Sequence, residues 1–245
     1  MNFVDKDLLT PAKQVKRHQL ISQEIKKTII DGTMQPGDRL PPERELSATF
    51  GASRIVIREA LKGLEASGLV VIKPGSGVFV THGPSKTMSD SLYSILRMQN
   101  TSISEVTEAR LIIEPNIARI AAARATEADF QRLEANIREA RRVSSEKIPA
   151  TAQNIGFHSI LAEMTHNTVI ILTMKSLFEV LDAMFMDFSE NSARRLRISR
   201  DSLNQHVKIM KALRGKDPEK VYRLMFDHIV EIQGGLTETV SPHLT

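Results

Sequence analysis

The feature that most constrains the fold is the run GASRIVIREALKGLEASGLVVIKPGSGVFVT, residues 51–81. Gly51, Ala52 and Ser53 form a three-residue turn, and the apolar spacing that follows predicts an amphipathic helix over about 54–67, stopped by Gly68. LVVIK and VFVT then read as strands joined by the glycine-bearing turn PGSG. Upstream, ERELSATF (43–50) reads as a short helix with Glu43 and Glu45 in its first turn, where the helix dipole favours anions. MQPGDRLP is a turn region punctuated by Pro and Gly. Residues 15–32 predict one more amphipathic helix, with Leu20, Ile21, Ile25, Ile29 and Ile30 inward and Gly32 as its stop. Helix, helix–turn–helix, hairpin is the order of a winged helix-turn-helix.

On the helix over 54–67, Val56, Ile57, Ala60 and Leu64 share one side, while Arg54, Arg58 and Lys62 line the opposite one. The second helix of such a motif enters the major groove of double-stranded DNA with its N-terminal residues at base edges. Arg54 and Arg58 are placed for that role, and Arg is the usual bidentate reader of guanine. Ser53 and the first backbone N–H groups of the helix suit phosphate. Gly75 and Gly77 let the wing backbone approach a duplex closely. An arginine stripe alone is usually a solvated face; here turn, stripe and wing coincide. Charge agrees: residues 1–85 carry 12 Lys/Arg against 9 Asp/Glu, most of the net +4.

The polar stretch HGPSKTMS (82–89) predicts a linker, dividing the chain into a DNA-binding domain at 1–82, a linker at 83–89 and an effector-binding and dimerisation domain at 90–245. The last part carries no strand signal. Capping-box patterns, Ser102 with Glu105 and Thr126 with Asp129, open two helices, and others are predicted near 88–98, 150–165, 168–188, 193–214 and 218–236. The fold class is therefore mainly α, a winged helix-turn-helix followed by an all-α bundle of six or seven helices. No run of about 18 apolar residues exists to span a membrane. The start, MNFVDKDLLTPAKQ, lacks a basic region followed by an apolar core and so does not read as a secretory signal, and the expectation consistent with these features is a cytoplasmic location. With no cysteine, a transition-metal site would need His, carboxylate or amide ligands.

NIGFH (154–158) puts Asn154 and His158 on one face of an otherwise apolar helical pattern. This is either a histidine satisfied in the core or part of a metal site. His206 lies beside Leu203, Ile209 and Met210, and His228 is stacked on Val221, Leu224, Met225 and Ile232. Three inward histidines on three helices would each need a buried hydrogen-bond partner, whereas one shared ion satisfies all three. His18, His82, His166 and His243 do not fit the pattern.

GDRLPPERELSATFGASRIVIREALKGLEASGLVVIKPGSGVFV (37–80) resembles the GntR-type winged helix-turn-helix, with Ser47 where Ala is common and Ala52-Ser53 for the usual Val-Ser. The resemblance implies that Arg44, Arg54, Arg58 and the wing glycine Gly75 contact operator DNA, with Arg44 at the backbone or groove edge. EARLIIEPNIARIAAARA, from Glu108 to Ala125, resembles the opening helix of the FCD effector domain of the FadR branch. There an Arg commonly binds a carboxylate of the effector, a role that falls to Arg110; the alternative is a surface arginine paired with Glu114 at i+4. Many FCD domains bind a divalent metal through Asp-x-x-x-His on one helix and one His on each of two later ones. Asn154, His158, His206 and His228 match that arrangement, with Asn154 where Asp is usual. An amide oxygen ligates without charge, so affinity should fall. Zinc is the first choice, with nickel or manganese as alternatives.

The function this implies is a transcription regulator, a repressor that binds a two-fold operator as a homodimer and is released by a small organic or sugar acid. Two other classes remain at this point. A metal-dependent hydrolase would share the three histidines, but no carboxylate sits beside them as in H-E-x-x-H. A constitutive DNA-binding protein would keep the pocket for structure alone.

Overall fold

The computed structural model describes residues 16–81, 85–188 and 192–237. Val15, His82 and His243 lie outside them. The chain divides into two compact units, residues 1–87 and 88–245.

The first unit holds α1 (Arg17–Ile30), α2 (Glu43–Phe50), α3 (Arg54–Ala66), β1 (Val70–Lys73) and β2 (Gly77–Val80). Its core gathers Ile21 and Ile25 of α1, Leu46 of α2, Ile57, Ala60, Leu61 and Leu64 of α3, and Leu40, Val70 and Val80. The inward set read for α1 was too wide: Leu20 is 50% exposed and Ile30 65%. α1 packs chiefly on α3, with Ser22 Oγ donating to the Ala60 carbonyl at 2.8 Å, while Arg17 at its start reaches the Phe50 and Gly51 carbonyls. A helix covered on one side buries only the narrow i, i+4, i+8 stripe, here Ile21, Ile25 and the half-buried Ile29. Gly51 ends α2 at φ +55°, left-handed backbone that glycine adopts without penalty, and this sets the sharp turn into α3. β1 and β2 pair antiparallel, Val70 opposite Val80 and Lys73 opposite Gly77. The segment read only as a turn adds a short third edge: Leu40 N donates to Val78 O, and Val80 N to Asp38 O, both at 2.8 Å.

The second unit is a bundle of α4 (Ser85–Met98), α5 (Ile103–Arg124), α6 (Glu127–Ser145), α7 (Thr151–Glu163), α8 (Thr168–Phe188), α9 (Ser192–Arg214) and α10 (Pro218–Thr237). Both capping boxes form, Ser102 with Glu105 and Thr126 with Asp129. α4 begins at Ser85, inside the stretch read as linker. Its helical period reaches back through Ser89, which is buried and bonds Glu179, and Leu92, Tyr93 and Leu96 pack with Val106, Val180, Leu181 and Met184. α5 runs straight through Pro115, which lacks the N–H that would meet the Leu111 carbonyl. The main core lies between α5, α6, α7, α9 and α10, around Leu133, Phe157, Leu161, Ile209, Leu213, Met225 and Ile229. Among the described residues, no helix is long and apolar enough to cross a membrane.

Candidate metal centre and nucleic-acid interface

In the first unit, α3 turns Ile57, Ala60, Leu61 and Leu64 inward, which leaves Arg54, Arg58 and Lys62 exposed on the far side. Ser53 caps this helix, its Oγ accepting from Val56 N at 3.4 Å. Arg44 is exposed on α2. Arg58 Nε donates to both carboxylate oxygens of Glu43 at 2.9 Å, and this pairing raises the guanidinium pKa. Sequence reading missed Glu43 in that role, although its place in the first turn of α2 was visible. At the wing tip Gly75 has φ +72° and nothing within 4 Å of where a Cβ would stand.

In the second unit, α7, α9 and α10 each contribute one buried histidine to a single point. His228 Nε2 lies 3.2 Å from His158 Nε2 and 3.1 Å from His206 Nε2. All three ligand atoms fall within 4.8 Å of one another. The outer nitrogens explain why these rings turn their Nε2 atoms inward. His158 Nδ1 stands 2.5 Å from Glu114 Oε2, and His228 Nδ1 stands 2.5 Å from Gln205 Oε1. The Gln205 oxygen is an acceptor and draws the His228 ring proton onto Nδ1, leaving an Nε2 lone pair facing the cluster, whereas Glu114 stands beside His158 Nδ1 as a close charge without completing a hydrogen bond. His206 is held by stacking on Phe157, with centroids 3.8 Å apart and planes 4° from parallel. Burial first, and the neighbouring histidines and Arg110 after it, push the pKa of His206 well below its ordinary value. His228 is depressed by burial, His158 and Arg110, with Glu114 opposing. Burial thus favours the neutral form of His206 and His228, the form that ligates metals.

His228 Nε2 faces two other ring nitrogens, and a proton on His206 Nε2 would satisfy one of those contacts and not the other, which a cation shared by all three rings would. Asn154 points the same way. Its Oδ1, one helical turn before His158, is buried without a hydrogen-bond partner. Three imidazoles and an amide oxygen suit a borderline divalent cation, so the residues fit the metal that the resemblance implied.

Arg110 and Glu114 lie on α5, each only 3% exposed. The i+4 pair forms, Nε to Oε1 at 2.5 Å, but in the interior rather than on the surface. Burial raises the Glu114 pKa, and Arg110 and His158 outweigh it, bringing the carboxyl to about 2. Among the described residues Arg110 donates through Nε alone, leaving its two terminal amino groups for another acceptor. Glu114, Gln205 and Phe157 were not singled out from sequence. Only Glu114 left a signal there, its spacing from Arg110.

A winged helix-turn-helix with an exposed arginine face, followed by a helical unit enclosing a metal-type donor set, defines a class: the chain is a DNA-binding transcription regulator. It belongs to the GntR family of bacterial regulatory proteins, matched over residues 18–80, and carries an FCD domain, matched over residues 105–231. It is 28% identical to the Uxu operon transcriptional regulator of Escherichia coli over 225 residues, covering 90% of this chain and 87% of that one. It is 27% identical to the transcriptional repressor NanR of Klebsiella aerogenes, covering 91% and 86%. The regulator LutR of Bacillus subtilis is 24% identical, covering 85% and 96%. A GntR structure from Streptococcus agalactiae shares the fold, with a TM-score of 0.72, 24% identity and coverage of 89% and 99%. The family and these relatives are transcription regulators, not enzymes.

Proposed function

We propose that the chain is a cytoplasmic repressor that binds a two-fold operator as a homodimer and is released by a small organic or sugar acid bound at a metal in its C-terminal part. Residues 1–82 serve as the DNA-binding domain, 83–89 as the linker and 90–245 as the effector-binding and dimerisation domain. One observation carries the reading: three buried Nε2 atoms meet at one point, with two of the rings fixed from behind by Glu114 and Gln205. His158, His206, His228 and Asn154 hold the ion, zinc first, with nickel or manganese as alternatives. When bound, the ion supplies an open coordination position for an oxygen of the acid. Arg110 holds a carboxylate through its free terminal amino groups, in a site dry enough to make that charge-assisted pair strong. Arg44, Ser53, Arg54, Arg58 and Gly75 meet the operator, Ser53 and Arg44 at phosphate or groove edge and Arg54 and Arg58 at bases. The NanR relatives, named as repressors, support the direction of control.

Acid binding favours one placement of the paired DNA-binding domains and so changes their match to the half-site spacing. The test begins with metal content and melting temperature of tag-free protein before and after chelation. About one metal per chain, with a melting point that falls on chelation, supports the reading. Protein that carries no metal and gains nothing from added zinc, nickel or manganese would leave Arg110 and hydrogen bonds as the whole ligand site. Operator affinity that no acid alters would make the pocket purely structural.

A further inference from the structure

Asn154 has a consequence for the ligand, and the inference rests on the metal-and-carboxylate reading above. Behind the cluster, Glu114 stands 2.5 Å from His158 Nδ1, and Arg110 is paired with Glu114. Those two charges cancel. The three imidazoles bind a metal only as neutral rings, and the Asn154 amide brings no charge. A divalent ion here therefore keeps both its positive charges, in a site whose histidines are at most 5% exposed. A carboxylate at position 154 would have removed one of them.

Buried charge is costly unless it is matched. A monocarboxylate would match one of those two charges and leave the other to a metal-bound hydroxide, which a second carboxylate of the same molecule would replace. We propose that the effector is a small dicarboxylate, with one carboxylate on the Arg110 terminal amino groups and the other completing the metal's coordination. Two binding groups of different kinds, a planar guanidinium fork and an open metal position, also suit two carboxylates set at opposite ends of a short molecule. By reciprocity the acid must strengthen metal binding by the same factor that the metal strengthens acid binding.

The experiment uses full-length protein stripped of metal, with zinc affinity read by competition against a chromophoric chelator and corrected for zinc bound by each acid in solution. Matched pairs serve as probes: succinate and malate against butyrate and 3-hydroxybutyrate, glutarate against valerate, with 3-phosphoglycerate as a more highly charged anion of another kind. The wild type should bind zinc at least about tenfold tighter with one of the dicarboxylates than with its monocarboxylate partner, the scale on which changes around a metal site act. Asn154→Asp should bind zinc at least about tenfold tighter with no acid present, and its preference for dicarboxylates should shrink. Asn154→Ala, a safeguard if the Asp variant fails to fold, should weaken zinc yet keep the preference. Equal effects of the two acid classes, or no effect of either, overturn the proposal, as does tightening by 3-phosphoglycerate alone. If Asn154→Asp folds and leaves acid-free zinc affinity unchanged, residue 154 is no ligand, and the failure lies in the underlying metal reading.

Discussion

Replacing Glu114 with Gln keeps the side chain's size and removes its charge, and the consequences can be worked from its surroundings. The carboxyl is fully buried between Arg110 and His158, and its pKa of about 2 compares with an ordinary 4.5. A lowered folded-state value means that ionised Glu114 stabilises the native state at every pH above the unfolded value. That contribution is lost as pH falls from about 4.5 toward 2. The gap corresponds to about 3 kcal/mol at neutral pH, of which about 2 kcal/mol is gone by pH 3. Glu114→Gln cannot titrate, so it lacks this component at all pH values. It also leaves the Arg110 guanidinium buried without a counter-charge, a kind of change that costs about 3–5 kcal/mol.

The assay is urea unfolding of metal-free protein, followed by far-ultraviolet circular dichroism, at pH values from 7 to 3. The variant should be less stable than the wild type by about 3–5 kcal/mol at pH 7, and the difference should narrow by about 2 kcal/mol by pH 3. Other carboxylates titrate in both proteins and cancel in the comparison. Asp129 is among them, which burial raises and Thr126, Arg132 and His166 together bring down to about 2. Parallel pH profiles for the two proteins would refute the argument, because they would mean that Glu114 is not ionised against Arg110 in the native state.

Three further outcomes are expected. His228→Ala should lower bound zinc from about one per chain to near none by atomic spectroscopy while leaving operator affinity in the absence of acid unchanged, since His228 and the α3 face belong to different units. Arg58→Ala should weaken operator binding by about 1–3 kcal/mol in a gel-shift titration and relax preference at one base pair; equal loss on unrelated DNA would assign Arg58 to phosphate instead. Gly77→Ala should lower the melting point of the first unit, because residue 77 has φ +113° and the new Cβ would stand 2.7 Å from Arg39 Nε. An unchanged melting point would show that the Arg39 side chain and the wing backbone both yield freely.

Much of this fold was written locally. Gly51, Ser53, Ser102 and Thr126 each act through backbone groups within a few residues, so the elements they bound could be read without knowing what packs against them. The three histidines were legible for a related reason, since each occupies the apolar face of its own helix and a polar ring there demands a partner. What escaped was set by neighbours distant in sequence. Nothing local distinguishes α1, covered chiefly by α3, from a helix buried along a wider face, and so Leu20 and Ile30 were assigned inward. Residues 38–40 read as a turn because Pro36, Gly37, Pro41 and Pro42 flank them, and only β2 makes them a strand edge.

The Arg110–Glu114 pair shows why this limit falls hardest on the site. Arg and Glu four apart on a helix are the commonest exposed pairing, worth a few tenths of a kcal/mol. The same two residues become a different object once other helices enclose them: the desolvated pair holds Glu114 ionised and sets it against His158 Nδ1. That contact sets a carboxylate behind His158, and thereby links the arginine to the histidine cluster through one charged group. A charge arriving at Arg110 competes with Glu114 for the guanidinium and, through Glu114, changes how firmly His158 presents its Nε2. On the function proposed above, Glu114 would couple binding at the arginine to binding at the histidines, a role that comes from its burial.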